Sequence, residues 1–179
     1  MISLDSYYQD IQWKHDQIDD SEPFEHEGSL LTYVIMPKIT IGLSDWWNIT
    51  VEQNIGKRHM GWYPKEVSLH HREESSNEDF DNAEGGIIGD SNVRLKYLVL
   101  NTGKGEGSRF FLIAGLTIPS KNQLTSSPYL KNNNNEYYPH RHFSISSGVS
   151  KLNTGIQYFY KRKLNPVFIG FTGAIREPV

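Results

Sequence analysis

Between Val93 and Val99 the chain reads VRLKYLV, with Val93, Leu95, Tyr97 and Val99 on one parity and Arg94 and Lys96 on the other. An extended backbone sends successive side chains to opposite faces, so this spacing specifies a strand with one apolar and one charged face. The period recurs along most of the chain. Leu31, Tyr33, Ile35, Pro37, Ile39, Ile41 and Leu43 alternate with Thr32, Lys38, Thr40 and Gly42, although Val34 and Met36 blur the second face. Trp47, Ile49, Val51 and Ile55 alternate with Asn48, Thr50, Glu52 and Asn54. Further sets are Tyr7, Ile11 and Trp13; Phe110, Leu112, Ala114, Leu116 and Ile118; and Val167, Ile169, Phe171 and Ile175. The run from His142 to Lys161 changes parity, which calls for a bulge or turn near Lys151. Helical periodicity is nearly missing. The count is seven strands, or eight if that last run breaks in two.

The connections alternate in length. DQIDDSEPFEHEG, the stretch from Lys57 to Asp90, and the stretch from Pro119 to Arg141 are long; SDW, NTGKGEGS and KRKLNP are short. In an up-and-down meander, odd connections lie at one end and even ones at the other. Short turns at one end and long loops at the other, on strands with one apolar and one polar face, are the pattern of an outer-membrane β-barrel. Hydrocarbon leaves no partner for an open sheet edge, so such a sheet must close. Aromatics near strand ends suit interfacial girdles: Trp46, Trp47, Tyr137, Tyr138, Tyr158 and Tyr160. On this reading the oily rows face lipid and Lys38, Glu52, Arg94 and Lys96 line the lumen. A charge near the bilayer midplane on the lipid face would cost about 2–4 kcal/mol. Charges paired across the lumen plug it as readily as they select solutes. Alternation alone does not tell inside from outside. The rival is a soluble β-sandwich or lipocalin-like barrel that binds a ligand or metal through its histidine-rich loop.

Composition narrows the classes. The net charge of −3 points neither to nucleic acid nor to electrostatic attraction to a membrane surface. No apolar run reaches the length of a helical membrane span. Cysteine is absent, so disulfides play no part. MISLDSYYQD lacks the basic and apolar regions of a signal peptide, which leaves a cytoplasmic, a mature or a truncated chain as readings.

The segment GGIIGDSNVRLKYLVLNTGKGEGSRFFLIAGLTIPSKN resembles the core of a family of Gram-negative outer-membrane barrels associated with the meta-pathway of phenol degradation, and related transporter porins. Gly89-Asp90 stands where that family carries a Gly-Asp pair, Lys96-Tyr97 follows in an alternating strand, and Ile118-Pro119-Ser120 ends the next one. YVIMPKITIGLSDWWNITVEQNIGKR resembles the family's early hairpin, with Gly42-Leu43-Ser44-Asp45 as its turn. About half the chain is covered, and the motifs are short. The resemblance implies an integral outer-membrane protein of a Gram-negative bacterium, a passive channel or transporter for small, often hydrophobic solutes, with no cofactor and no catalytic residues. Complete members are longer, and barrels usually close on an aromatic residue, whereas this chain ends IREPV. The expectation is therefore a single β-barrel domain over 1–179 that forms the front of a larger barrel, with long loops about 17–28, 57–90 and 119–141. Lipids, a small-molecule solute, and either further copies or a partner that completes the barrel are the expected associates; nucleic acid is not.

The long third loop, KRHMGWYPKEVSLHHREESSNEDFDNAEGG, concentrates imidazoles and carboxylates. Those groups are competent zinc or copper ligands. His59, His70 and His71, joined across the same rim by His140 and His142, are the candidate metal set; the alternative is a solvated loop folded into the mouth. No HExxH spacing is present. Ser68, His70 and Glu73 are hydrolase residue types without a recognisable frame, so the chain reads as non-enzymatic. GKGEG reads as a hairpin turn rather than a phosphate cradle, because no helix and no Lys-Ser/Thr signature follow it. Asp16, Asp19, Asp20, Glu22, Glu25 and Glu27 form an acidic run that either draws cations to the mouth or is simply solvated.

Overall fold

The computed structural model describes residues 1–17, 22–66, 68, 71–102, 105–124, 126–139, 144–163 and 168–178. It contains strands and no helix among them. The strands are β1 (Ile2–His15), β2 (His26–Gly42), β3 (Trp47–Trp62), β4 (Glu74–Ser75), β5 (Ile88–Asn101), β6 (Gly107–Ile118), β7 (Ser126–Lys131), β8 (Tyr137–Pro139), β9 (Lys151–Lys161) and β10 (Phe168–Pro178). One large antiparallel sheet runs in the order β1-β2-β3-β5-β6-β9-β10, with β4 paired to β3, and β7 and β8 form a separate hairpin. The up-and-down meander is as expected. Among the described residues the sheet is open: β1 and β10 are its two edges, and no pairing joins them. They form no second sheet packed face to face on the first, so the sandwich form of the rival reading is not seen among them.

Register fixes which residues share a face. Ile2 pairs with Ile39, Ile39 with Val51, Val51 with Val93, Val93 with Leu116 and Leu116 with Leu152. One residue along, the row is Ser3, Lys38, Glu52, Asn92, Thr117 and Lys151. Side chains alternate along every strand, so an apolar row and a polar row lie back to back across six strands.

The polar face is the covered one. Thr32, Thr50, Glu52, Asn92, Thr117 and Asn153 are buried, and only Met60, Leu98, Ile113 and Leu124 make up the buried apolar set among the described residues. The apolar face is exposed: Ile39 at 51%, Ile41 at 54%, Leu116 at 40%, Leu152 at 46% and Phe171 at 58%. A water-soluble sheet does the reverse. Val93, Leu95 and Tyr97 thus sit on the outer face, and Arg94 and Lys96 on the inner one.

The two ends differ as the loop lengths suggest. At one end are the turns 43–46, 102–106 and 162–167; at the other are the connectors 16–25, 63–87 and 119–150. The first turn is closed by the Ser44 hydroxyl, which accepts from the backbone N–H groups of Trp46 (3.2 Å) and Trp47 (3.1 Å). The long connectors are laced together. The Asn122 amide donates to the carbonyls of Ser76 (2.7 Å) and Gly86 (2.6 Å) and accepts from the Ile145 N–H (3.3 Å). Asp90 accepts from the Ser147 hydroxyl (3.0 Å) and the Ser120 N–H (3.2 Å).

The strands run further than the sequence suggests. β3 continues to Trp62 and β5 begins at Ile88, so 57–90 shrinks to 63–87; the first long loop becomes 16–25 and the third extends to 150. The parity change is explained by β9 starting at Lys151 after a loop, with Leu152, Thr154, Ile156 and Tyr160 exposed and Asn153 buried on the other parity.

Candidate functional site

A belt of hydrogen bonds crosses the covered face. Lys38 on β2 donates to Asp5 on β1 and, at 3.1 Å, to Glu52 on β3. Glu52 also accepts from Arg94 Nη2 (2.9 Å) and from Asn92 Nδ2 (3.1 Å), both on β5. The Thr117 hydroxyl on β6 donates to Asn92 Oδ1 (2.6 Å) and accepts from Asn153 Nδ2 on β9 (3.0 Å). Six strands are therefore joined side chain to side chain. Glu52 is 6% exposed, and a carboxylate so buried is kept by its partners: two cations and an amide face it. A glycine lets Arg94 lie where it does. A Cβ on Gly115, directly opposite Arg94, would come within 2.8 Å of Arg94 Cγ and 2.4 Å of the Val93 carbonyl oxygen.

Lys96 stands one step nearer the turns and donates to Gln157 Oε1 (3.0 Å), two strands away. Nearer the loops, Arg58 donates to Thr32 Oγ1 (3.1 Å) and to the Ser144 carbonyl (3.3 Å), tying β3 to the third long connector.

A second cluster sits at the loop end. His15 and His26 are register partners across β1 and β2. His71, from the 63–87 connector, joins them; one ligand atom from each ring lies within 4.8 Å of the others. His15 Nε2 is 3.3 Å from His71 Nε2, and His15 Nδ1 donates to the Asp16 carbonyl (2.8 Å). His26 is 0% exposed and its Nε2 lies 3.1 Å from Glu22 Oε2; that oxygen accepts from the Ser68 hydroxyl (3.2 Å). Ser68 in turn accepts from the His71 N–H (2.9 Å). Trp13, Trp62 and Phe24 wall the cluster: Trp13 is 4.8 Å from His71, Trp62 is 5.4 Å from His26 and Phe24 is 5.2 Å from His26, ring to ring. Gly28 makes room for this wall, since a Cβ there would meet Trp13 Cζ2 at 2.6 Å.

Comparison with protein-family models, curated proteins and solved structures finds no match. Function must be argued from the geometry.

All four charged residues expected on one face are there: Lys38, Glu52 and Arg94 meet directly, and Lys96 stands beside them on its own partner. The histidine set divides. His71 is in the cluster. His59 shares the apolar side's parity, opposite Leu31, and lies 3.7 Å from Glu73, away from the cluster. His70, His140 and His142 lie outside the described residues. The expected site therefore changes its membership: two of its three described imidazoles, His15 and His26, come from strands rather than from the histidine-rich loop. Lys14-His15 and Glu27-His26 mirror each other about the first long connection, and that symmetry is the signal that places them face to face. Asn92, Thr117 and Asn153 carry no such mark; uncharged residues on a polar face look alike until register is known.

Proposed function

We propose that this chain forms wall of an outer-membrane β-barrel that passes small solutes by diffusion through a polar lumen, in a Gram-negative envelope. One observation carries the reading: an exposed apolar row lies back to back with a covered, hydrogen-bonded polar row across six strands. Its height is right. From Leu31 to Ile41 the outward residues of β2 are apolar or aromatic, about 33 Å along the strand at ~3.3 Å per residue. Tilted by about 45°, that gives close to the ~25 Å apolar band of such barrels. At its Leu31 edge the outward positions of β1 turn polar, with Asp10 opposite Leu31 and then Gln12 and Lys14. Exposed aromatics lie near its two ends, with Trp46, Trp47 and Tyr160 towards the short turns and Tyr8, Tyr33 and Tyr63 towards the long loops. In a bilayer the edges β1 and β10 need partners, from each other, from further strands or from another chain. The resemblance to the phenol-pathway barrels favours small, hydrophobic solutes.

The chain has no cysteine, which makes the test direct. Single cysteines replacing Val51, Val93 or Leu116 in liposome-reconstituted protein are expected to resist a water-soluble maleimide and to react with a lipophilic one. Cysteines replacing Asp5 or Tyr7, exposed on the opposite face of β1, should do the reverse. Protein that is monomeric without detergent, with both sets equally reactive towards the water-soluble reagent, would overturn the membrane reading. Conductance across a planar bilayer tests the channel itself.

A further inference from the structure

We propose that His15, His26 and His71 form a binding site for a divalent transition metal of the zinc class, which clamps the 63–87 connector to the β1–β2 hairpin. The spacing fits an ion. Two imidazole nitrogens bound at ~2.0–2.1 Å with tetrahedral angles stand about 3.3 Å apart. His15 Nε2 and His71 Nε2 are at 3.3 Å. Rings radiating from one such ion have centroids about 5 Å apart by the same geometry; here the three separations are 4.7, 5.5 and 5.6 Å.

The surroundings are those of a metal site too. A ligating histidine commonly gives its second ring nitrogen to a carbonyl or carboxylate, which fixes the tautomer. The carbonyl of Asp16 does this for His15 Nδ1: it can only accept, so Nδ1 carries the proton and Nε2 is the ligating nitrogen. Glu22 lies against His26 and is itself held by Ser68. Ser68 also holds the backbone of His71, so carboxylate, hydroxyl and third ligand are one connected unit. Trp13, Trp62 and Phe24 set their rings against the cluster. Three imidazoles leave a fourth position for water or a small anion, and neutral nitrogen ligands in an aromatic shell suit zinc, nickel or copper rather than calcium or magnesium.

The site does not depend on what the outer face of the sheet meets, so it is tested separately from the channel. The refolded full chain is titrated with zinc by calorimetry, and with nickel by quenching of tryptophan fluorescence, since Trp13 and Trp62 adjoin the rings. Saturable binding of one ion per chain is expected. His71→Ala and the milder His15→Gln should each weaken it by about tenfold or more, and Glu22→Gln by a comparable factor. His59→Ala, off the cluster, should leave it unchanged. Bound zinc should also slow proteolysis within the 63–87 connector in the parent chain and not in His15→Gln. Absence of saturable binding at micromolar zinc overturns the proposal, as does binding that His59→Ala weakens as much as His71→Ala. A circular-dichroism spectrum matching the parent qualifies each variant, and His15, partly exposed on an edge strand, is the safer of the two ligand positions.

Discussion

Glu52 carries more of this molecule's polar face than any other residue. It faces Lys38, Arg94 and Asn92 at once while almost wholly buried. Removing one member of such a group leaves the others without compensation. Glu52→Ala is expected to destabilise the fold by about 3–5 kcal/mol, read from urea unfolding midpoints. If the proposed channel holds, Glu52→Gln in reconstituted protein should shift permeability towards anions, because Arg94 loses its carboxylate and Lys38 keeps only Asp5; reversal potentials in a salt gradient measure this. Tyr129 offers a second test, outside the large sheet. Burial, then Glu74 and Glu78, push its phenol above the usual tyrosine value, while Arg72, 4.0 Å over the ring, pulls the other way. The folded chain thus holds this proton more tightly than the unfolded one. That contribution to stability is complete below the ordinary phenol range and is lost as pH rises through the folded value. The ultraviolet tyrosinate titration should show one late-ionising phenol that Tyr129→Phe removes and Arg72→Ala delays further. At this scale the sequence was legible where charge marked a position. It was silent at Asn92, Thr117 and Asn153, whose roles come from cross-strand neighbours.

Among the elements, β5 and β6 show how much alternation determines and what it leaves open. Faces follow from parity, and they agree with it along β6 and over Ser91–Leu98 of β5. Bulges do not follow: register shifts between Leu98 and Leu100 on β5, and again between Ile88 and Ser91 of β5 opposite Gln53 and Ile55. Their cause lies in the pairing, not in the local residues. The β7–β8 hairpin was likewise hidden, because a tract ending in NNNN reads as loop tip. Gly115 supplies the prediction for this scale. Gly115→Ala drives a methyl against the neighbouring backbone and the stem of Arg94. A loss of about 1–3 kcal/mol is expected from such overpacking. The thermal midpoint should fall with it, whereas Gly42→Ala, where a Cβ meets nothing within 4 Å, should lose far less.

For the whole molecule, the two faces invert the usual arrangement, and that inversion was legible only as a choice between two orientations. The row Ile39, Val51, Val93, Leu116 is the place to test it. Leu116→Arg is expected to cost about 2–4 kcal/mol in a bilayer if that row lies near the midplane, and close to nothing in a water-soluble sheet. Folding into vesicles, followed by electrophoresis with and without heating, measures the difference. Closure was not legible at all, because parity and loop length describe neighbours and not ends. The belt has a consequence of its own. Slipping any strand by two residues keeps its oily side outward and still sets aliphatic against aliphatic, so grease alone tolerates the error. The carboxylate at 52 does not: against β2 a two-residue displacement sets it opposite Thr40 or Met36 instead of Lys38, and against β5 one direction sets it opposite Asp90. Alignment of the whole wall is thereby proofread by a handful of charges at one level, and misthreaded versions are penalised even where every surface still matches its solvent.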